Sequence, residues 1–212
     1  VTNPFDLSGR VALVSGANTG LGQAIAIALA QAGAHIAAVG RSAPAETEAA
    51  VRGAGRGFQW VEAALDTPAP VAAVVAAVEA KLGPIDILVN NAGTIRRADA
   101  LEFTEDDWDA VVGVNLKTAF FLAQAVARSM VAGGRGGKII NIVSMLSFQG
   151  GVRVASYTAS KSGLLGLTRL LANEWAAKGI NVNAIAPGYF VTNNTEALRG
   201  DANRNRAILD RI

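Results

Sequence analysis

Apolar runs and helix-forming segments alternate six times along this chain, and this alternation constrains the fold more than any other sequence feature. Runs such as 11–15, 35–39 and 85–90 are largely apolar throughout, as expected for strands that are buried on both faces. Strands and helices that alternate in a single pass form a parallel sheet with helices on both faces. The sequence therefore predicts an α/β fold, a doubly wound parallel sheet in three layers, built as one domain over residues 1–212.

The expected element boundaries follow from the apolar runs and from the glycines and prolines between them. The expected strands are 11–15, 35–39, 58–63, 85–90, 138–143 and 180–186, and the expected helices are 21–31, 45–54, 71–82, 104–131 and 155–177. Thr104 is a suitable N-cap, and the three acidic residues after it suit the positive end of a helix dipole. The helix that it opens is expected to contain a break before its end.

Composition excludes several classes of function. Hydrophobic residues make up 51% of the 212 residues and charged residues 17%, which predicts a folded chain with a sizeable core. The net charge of +2 and the scattered Lys and Arg residues argue against a nucleic-acid partner. With no cysteine and a single histidine, His35, the sequence predicts neither a disulfide nor a metal site. We interpret His35 as structural.

The hydropathy pattern bears on location and assembly. No uninterrupted apolar run reaches about 18 residues, and the first ten residues lack an apolar leader, so we expect no membrane partner and a soluble, cytoplasmic protein. The mean hydropathy of +0.32 is high for a soluble monomer. Apolar surface buried between subunits explains this value, although a well-filled α/β core explains it equally.

A glycine-rich turn, Gly16-Ala17-Asn18-Thr19-Gly20-Leu21-Gly22, joins the first strand to the first helix. Glycines at this place let the backbone approach a pyrophosphate, whose charge is stabilised at a helix N-terminus. The turn therefore predicts a Rossmann-type dinucleotide site, although its spacing differs from the common Gly-x-Gly-x-x-Gly pattern.

The end of the second strand bears on the choice between NAD and NADP. An acid at this position binds the free 2′-hydroxyl of NAD, whereas an arginine accepts the 2′-phosphate of NADP. Here the sequence is Gly40-Arg41-Ser42, with no acid, which favours NADP. Alternatively, Arg41 is merely solvated or stacks on the adenine, and the two readings stay open.

Tyr157 and Lys161 place a phenol and an ammonium four residues apart on an expected helix, which puts both on one face. An unperturbed tyrosine, with a pKa of about 10, is a poor acid–base group near neutrality. A neighbouring positive charge lowers that pKa. The pair is therefore a candidate proton-transfer unit.

These motifs together resemble the short-chain dehydrogenases/reductases. The resemblance rests on the glycine turn, Asn90-Asn91-Ala92-Gly93, Asn115, Ser144, Tyr157-x3-Lys161 and Pro187-Gly188, which occur in the family's order along the whole chain. The resemblance implies hydride transfer with NAD or NADP. It also implies a further helix and a seventh strand that this sequence, ending at Ile212, does not contain. The alternation and the glycine turn predict strand order 3-2-1-4-5-6, and the apolar bulk of the helices from 104 and from 155 predicts a homo-oligomer, which we expect to be a tetramer.

The resemblance also implies a role for each matching residue. Cofactor contacts are expected from Gly16, Asn18, Thr19, Gly20, Leu21, Gly22, Arg41, Asp66, Asn91, Ala92, Gly93, Tyr157, Lys161, Pro187, Gly188 and Thr192, with Asp66 at the adenine. The expected catalytic group comprises Asn115 holding a relay water, Ser144 donating to the substrate oxygen, Tyr157 as general acid or base, and Lys161 binding the nicotinamide ribose.

Segments around the motifs resemble those members of the family that act on sugar acids and favour NAD. This resemblance implies NAD as the cofactor, with NADP not excluded. A sugar acid carries a carboxylate, for which arginine is the natural partner. The expected substrate contacts are Arg96, Arg97, Ser144, Gln149, Arg153 and Tyr157. Two alternatives remain: an NADP-dependent reductase of another hydroxy or keto compound, and a nucleotide-binding protein without turnover.

Overall fold

The computed structural model of the chain describes residues 3–191 and 200–210. Its strands are β1 Val11–Ser15, β2 His35–Gly40, β3 Phe58–Glu62, β4 Ile87–Asn90, β5 Gly137–Ile142 and β6 Ile180–Ile185. Its α-helices are α1 Gly20–Gln31, α2 Ala45–Gly53, α3 Val71–Leu82, α4 Glu105–Val112, α5 Ala119–Ala132, α6 Ala155–Trp175 and α7 Ala202–Leu209. Most boundaries lie within two residues of those expected from the sequence, and α7 is an element that the sequence did not predict.

The six strands form one parallel sheet in the order β3-β2-β1-β4-β5-β6. This order confirms the sequence prediction. β1 lies at the centre, with β2 on one side and β4 on the other, so the direction of winding reverses between β1 and β4. In an open α/β sheet, ligands bind at this reversal, beyond the carboxyl ends of the strands.

Two apolar layers cover the faces of the sheet. On one face, buried side chains of α3, α5 and α6 pack on β1, β4 and β5, and they include Val78, Val126 and Leu171. On the other face, Ala26 and Ala30 of α1 pack closely on the sheet with Val51 of α2. Burial on both faces explains why β1 and β4 are apolar up to their last residues, Ser15 and Asn90, since neither strand has a solvent face.

A single long helix contains both α4 and α5. The Thr104 hydroxyl caps it by accepting a 3.2 Å hydrogen bond from the Asp107 amide, as expected for the N-cap. A π-helical segment, Gly113–Thr118, joins α4 to α5 and forms the break that the sequence predicted. Position 113 requires a glycine, because a Cβ at this residue would lie only 2.5 Å from the carbonyl oxygen of Asp66.

This joined helix, Glu105–Ala132, is long and apolar enough to cross a membrane when judged by length and composition alone. The sequence predicts no membrane span because it contains no uninterrupted apolar run of sufficient length. The joined helix meets a different criterion, the mean hydropathy of its most apolar part. Within the structure, 44% of the most apolar part of the helix is buried. Packing of α5 on the sheet accounts for much of its apolar character.

His35 has the structural role expected of it, because its Nδ1 accepts a 2.8 Å hydrogen bond from the Gly57 amide. This contact ties the start of β2 to the turn before β3. At the opposite side of the sheet, β6 forms the edge of the described part, and Ile185 is 51% exposed there. The seventh strand implied by the family resemblance is not among the described residues.

Candidate active site

The glycine turn and the start of α1 form an anion site built from backbone amides. Thr19 precedes the first helical residue but makes no side-chain cap, and the first turn of α1 contains no acidic residue. The amide groups at this end are therefore not used by a capping side chain, and the helix dipole favours a negative charge there. The arrangement fits the pyrophosphate of a dinucleotide.

Two of the glycines in the turn are required by the space around them. A Cβ at Gly22 would lie 2.1 Å from the Gly16 carbonyl oxygen, and Gly16 itself has a φ of 67°. Gly22 also approaches the side chain of Asn91 so closely that its Cβ would lie 2.4 Å from the amide nitrogen. The turn thus packs directly against the loop after β4.

Asn91 and Ser15 fix the relative positions of that loop and the glycine turn. Asn91 Nδ2 donates to the carbonyl oxygens of Ser15 at 3.0 Å and Gly16 at 3.1 Å. In return, Ser15 Oγ accepts hydrogen bonds of 3.0 Å from the amides of Asn91 and Ala92. Asn91 therefore serves as a scaffold of the cofactor site as well as lining it.

Two neighbouring cavities follow the carboxyl ends of the strands, with volumes of about 260 and 250 Å³. They share Gly16, Asn18, Ala92 and Gly93, so together they form one elongated cleft. The first cavity contains the helix end together with Thr19, Gly20, Leu21, Gly22, Asn91, Ser144, Tyr157, Lys161, Pro187 and Gly188. The second contains Arg41, Ser42, Asp66 and Arg96. A dinucleotide requires a cleft of this elongated shape.

Most of the cofactor residues expected from the sequence therefore line this cleft. Asp66 and Arg41 lie in the second cavity, at the end where an adenosine would be bound if the nicotinamide lies near Tyr157. Phe190, which sequence reasoning did not single out, also lines the first cavity. Thr192 lies outside the described residues.

Tyr157 and Ser144 come together in the first cavity from α6 and from the turn after β5. Burial raises the pKa of the Tyr157 phenol above its ordinary value of 10.0. A hydrogen bond from Ser144 and the positive charge of Arg97 act in the opposite direction with smaller effect. The sequence-based expectation of a lowered pKa is therefore wrong for this structure, because the loss of solvation dominates.

The Ser144 hydroxyl is held in place by its own turn. Ser144 Oγ accepts a 3.1 Å hydrogen bond from the Leu146 amide, and the Ser144 amide donates to Ser147 Oγ at 3.3 Å. A hydroxyl that accepts from a backbone amide still has its own proton to donate, and here it donates to Tyr157, beside which a substrate oxygen would be bound. Ser144 is thus positioned as a donor in the cavity that contains Tyr157.

Lys161 lies one helical turn beyond Tyr157 and is 4% exposed. Its Nζ donates a 2.6 Å hydrogen bond to the carbonyl oxygen of Ile142, the last residue of β5. Burial lowers the pKa of the Lys161 ammonium from 10.5 to about 8. A buried lysine at the cleft suits the function that the family resemblance implies, which is to bind a ribose hydroxyl.

Asn115 lies behind the cleft, in the π-helical segment, and is 1% exposed. Its Oδ1 accepts from the Thr94 amide at 2.8 Å, and its Nδ2 donates to the Thr94 carbonyl at 2.9 Å and to Ser160 Oγ at 3.2 Å. Both side-chain donors are occupied by protein groups. A relay water could therefore contact the Asn115 side chain only by donating to Oδ1, which accepts one bond already, and the side chain also fastens the loop after β4 to α6.

The arginines expected at the substrate differ in their surroundings. Arg96 Nε lies 3.2 Å from Asp107 Oδ1, and Arg96 lines the second cavity rather than the one that contains Tyr157. Arg153 Nε lies 3.3 Å from Asp99 Oδ1, and its backbone has a left-handed φ of 63°. Arg97 is half-buried, and its charge acts on the Tyr157 phenol. The sequence treats these three arginines as equivalent, whereas the structure places them in different surroundings, and their contact with substrate stays a prediction.

Sequence reasoning missed the serines that hold the catalytic residues in place. Ser15 organises the loop after β4, Ser147 caps the turn of Ser144, and Ser160 bridges Asn115 to the Tyr157 carbonyl oxygen at 2.9 Å. Ser15 carried a usable signal, because it is a polar residue that ends an apolar strand. Ser147 and Ser160 carried none beyond their closeness to the motifs.

Comparison with known proteins supports the interpretation of this geometry. Residues 10–203 match the family described as short chain dehydrogenase. The chain belongs to this family. The match covers the cleft, both cavities and the Tyr157–Lys161 pair, so the short-chain dehydrogenase fold that the sequence motifs implied is confirmed.

Individual members of the short-chain dehydrogenase family resemble this chain closely. A 2-dehydro-3-deoxy-D-gluconate 5-dehydrogenase of Dickeya dadantii is 56% identical over 212 residues, which are all of this chain and 84% of that protein. A structure from Agrobacterium tumefaciens, assigned as a 2-deoxy-D-gluconate 3-dehydrogenase with bound NADP, is 58% identical with a TM-score of 0.92 and covers the same shares, 100% and 84%. A gluconate 5-dehydrogenase of Burkholderia cenocepacia, in complex with NADP and tartrate, is 41% identical with a TM-score of 0.90, covering 98% of this chain and 82% of that one.

This degree of similarity makes the chain an NAD(P)-dependent oxidoreductase of the short-chain dehydrogenase family. The residues of the cleft fit such a cofactor. The end of α1 provides amides for its phosphates, and the glycines let the backbone of the turn come close to them.

Proposed function

We propose that the chain transfers a hydride between NAD(P) and a hydroxyl or keto carbon of a sugar acid, of the 2-dehydro-3-deoxy-D-gluconate or 2-deoxy-D-gluconate type. The observation that carries the proposal is the meeting of Ser144, Tyr157 and Lys161 in one cavity beside the amide end of α1. The names of the similar proteins from D. dadantii and A. tumefaciens support the substrate class.

Proton transfer to the substrate is assigned to Tyr157. When bound, the nicotinamide supplies the hydride in reduction and accepts it in oxidation. In reduction, negative charge develops on the substrate oxygen, and the Tyr157 hydroxyl delivers the proton that neutralises it. The raised pKa keeps the Tyr157 phenol protonated near neutral pH, as a general acid must be. In oxidation, the phenolate oxygen takes the same proton back.

Ser144 and Lys161 support this step in different ways. The Ser144 hydroxyl, whose oxygen is already fixed by the Leu146 amide, donates to the substrate oxygen as charge develops. Lys161 keeps an ammonium at the base of the cavity, where its remaining protons are available to a ribose hydroxyl. Its Nζ is 5.8 Å from the centre of the Tyr157 ring, so its positive charge also favours the phenolate.

Arg97 is the residue that we assign to the substrate carboxylate. Arg96 lines the second cavity and Arg153 is about half exposed beside Asp99, whereas Arg97 is close enough to Tyr157 for its charge to act on the phenol. A carboxylate bound beside Tyr157 therefore meets Arg97 before the other two. The loop that carries Arg97 is fixed by a 3.2 Å hydrogen bond from the Ala98 amide to the Arg153 carbonyl. Gln149, which is exposed near Ser144, is assigned to a sugar hydroxyl.

Arg41 and Ser42 favour the use of NADP in addition to NAD. Both residues line the second cavity at the end of β2, where Gly40, Arg41 and Ser42 provide no acidic side chain of their own, and Asp66 of the same cavity is assigned to the adenine. The A. tumefaciens and B. cenocepacia proteins that resemble this chain both hold NADP. We therefore propose that both cofactors bind, although the sequence resemblance implied a preference for NAD.

A panel assay tests the proposed activity directly. Sugar acids and the corresponding neutral sugars are offered with NAD and with NADP, and the absorbance of the reduced cofactor is followed. We expect turnover with a 3-deoxy or 2-deoxy sugar acid and none in a Tyr157→Phe variant that still binds cofactor. Cofactor binding with no turnover of any compound would favour the alternative of a nucleotide-binding protein. Turnover of neutral compounds alone would favour a different reductase.

We also propose that the enzyme acts in the cytoplasm as a homotetramer. The helix Glu105–Ala132 and α6 expose large apolar side chains, among them Trp108, Phe121, Val131 and Leu170 at 37–46%. An interface between copies would cover such side chains. Light scattering on the purified protein should give four chain masses, and a monomer mass would contradict this part of the proposal.

A further inference from the structure

A chain of buried polar side chains crosses the core beneath the active site, outside the residues assigned to catalysis. Asn90 Nδ2 donates to Asn141 Oδ1 at 3.0 Å, and Asn141 Nδ2 donates to Thr168 Oγ1 at 2.9 Å. Thr168 Oγ1 in turn donates to the Leu164 carbonyl at 2.8 Å. Asn141 and Thr168 each accept one of these hydrogen bonds and donate the next, so the series has one direction, from β4 through β5 to α6.

Asn90, the first residue of this series of hydrogen bonds, has a side-chain oxygen that none of the described residues pairs with. Asn90 Nδ2 also donates to the Ala119 carbonyl at 3.1 Å, so its two acceptors fix the orientation of the amide and turn Oδ1 the other way. Neither Asn90 Oδ1 nor Thr118 Oγ1 has a hydrogen-bond partner within the part of the chain that the structure describes. Asn90 is 4% exposed and Thr118 is 1% exposed. Leaving such atoms unpaired in the core is unfavourable, because each has lost its hydrogen bonds to water without gaining another.

A small cavity lies between the two residues that carry these unpaired atoms. Asn90 and Thr118 both line it, and apolar residues complete the wall: Leu65, Ala92, Val114, Ala119 and Leu122. Ser15 also borders the cavity, but its hydroxyl donates to the Val89 carbonyl and accepts from two amides, so its bonds are already made. The cavity volume of about 10 Å³ is at the lower end of what one water molecule requires, and Asn90 and Thr118 provide the two polar partners that a buried water needs at minimum.

We propose that this cavity binds a single water molecule that accepts from the Thr118 hydroxyl and donates to Asn90 Oδ1. With this water in place, one directed set of hydrogen bonds runs from Thr118 through Asn90, Asn141 and Thr168 to the Leu164 carbonyl. The donor and acceptor requirements decide the orientation, because the carbonyl oxygen of Asn90 can only accept.

The proposed water would fix the π-helical segment to the sheet. Thr118 is the last residue of that segment, and Asn115 within it holds Thr94 of the cofactor loop and Ser160 of α6. Through Thr118 and Asn90 the segment gains a second anchor, on β4. The water is thus a structural part of the frame that positions the loop after β4 and the catalytic helix.

Crystal structures at a resolution that shows ordered water test this proposal directly. We expect one water within hydrogen-bond distance of Asn90 Oδ1 and Thr118 Oγ1 in the wild type and in Thr118→Ser, which keeps the hydroxyl. Thr118→Val keeps the shape and removes the hydroxyl, and its cavity should contain no ordered water. An empty cavity in the wild type, or a direct bond between Thr118 and Asn90, would overturn the proposal.

Stability and local exchange give a second test. Thr118→Val should lower Tm by several degrees, as expected when a buried polar atom loses its partner in a domain of this size, while Thr118→Ser should stay closer to the wild type. Amide hydrogen exchange in residues 113–119 should accelerate in Thr118→Val more than exchange in β1. Equal stability and exchange in the Val and Ser variants would contradict the site, and if the Val variant does not fold, the wild-type density decides.

Discussion

Lys161 Nζ lies 5.8 Å from the centre of the Tyr157 ring and donates a 2.6 Å hydrogen bond to the Ile142 carbonyl. The two residues of the sequence motif are thus neighbours, and the ammonium is fastened to β5. Burial shifts the pKa of the two groups in opposite directions, up for the phenol and down for the ammonium, because it disfavours the charged form of each.

The lowered pKa of Lys161 predicts a stability that rises with pH. The folded-state pKa is about 8 and the ordinary value is 10.5, so between these pH values the unfolded chain binds more protons than the folded one. Raising the pH from about 8 to about 10 therefore increases the free energy of unfolding by about 2 kcal/mol, because the cost of burying the charged ammonium is removed. Urea unfolding of the wild type and of Lys161→Met at both pH values measures the difference.

The control for this prediction is Lys178→Met, which changes an exposed lysine in the turn after α6. Its stability should follow the wild type at both pH values. If the difference between wild type and Lys161→Met does not change with pH, then Lys161 does not titrate in this range.

The Tyr157 phenol should ionise above its ordinary pKa of 10.0 in the free protein. The chain has two tyrosines, so the ultraviolet titration of the wild type minus that of Tyr157→Phe isolates this group. Removing a group that favours the phenolate should raise the pKa of Tyr157 further, and this applies to Ser144→Ala and to Arg97→Met. Arg128→Met, an exposed change on α5, should leave it in place. A pKa below 10.0 would contradict the dominance of burial.

Loss of the Ser144 hydroxyl should slow the chemical step. It removes a donor to the developing charge on the substrate oxygen, so Ser144→Ala should lower kcat by about 10²–10³-fold. Tyr157→Phe should lower it by about 10²–10⁴-fold or more, since it removes the proton that is transferred. Cofactor affinity, measured by fluorescence titration, should be nearly unchanged in both variants. Near-normal turnover of Tyr157→Phe would mean that another group supplies the proton.

The fold was predictable because its signals are local and repeated. Apolar runs of strand length, separated by helices and by turn residues, predicted the sheet order, and burial on both faces explains why the pattern was clear. The break in the long helix was predicted, but its π-helical form was not. That form depends on contacts distant in sequence, such as the approach of Gly113 to the Asp66 carbonyl and the bonds from Asn115 to Thr94 and Ser160.

The site was predictable in its residue types and less so in its electrostatics. Spacing placed Tyr157 and Lys161 together, but a sequence does not show how deeply a phenol is buried, and burial reversed the direction expected for its pKa. The surroundings of the arginines could not be predicted from the sequence either. Arg96 and Arg97 are adjacent in sequence, yet Arg96 pairs with Asp107 and lines the second cavity, whereas the charge of Arg97 acts on Tyr157.

Arg41 should determine the affinity for NADP. A charge-assisted hydrogen bond to a 2′-phosphate contributes about 1.5–3 kcal/mol, so Arg41→Ala should weaken NADP binding by about 10–100-fold. NAD, which has no phosphate there, should bind as before. Calorimetric titration with each cofactor separates the two readings of this residue. Equal loss of both affinities would mean that Arg41 stacks on the adenine, and no loss would mean that it is only solvated.

Arg97 should determine the affinity for the carboxylate of the substrate. Replacing it by Met keeps much of the apolar stem and removes the charge, so KM for a sugar acid should rise by about 10–100-fold, as expected for a lost charge-assisted contact. KM for a neutral sugar or polyol that the enzyme turns over should change little, because such a compound has no carboxylate. Arg97→Lys should restore part of the affinity, since it restores the charge without the bidentate geometry.

Two matched variants show whether this effect belongs to Arg97 alone. Arg153→Met removes an exposed ion pair with Asp99, and such a pair contributes little to stability. This variant should raise KM for the sugar acid much less than Arg97→Met does. Arg128→Met changes an exposed residue of α5 that lines neither cavity, and it should have no effect. Because Arg97 also influences the pKa of Tyr157, the comparison uses KM and kcat separately across a range of pH. If Arg153→Met rather than Arg97→Met discriminates acids from neutral compounds, the carboxylate lies at the Arg153–Asp99 side of the cavity and the present assignment is wrong.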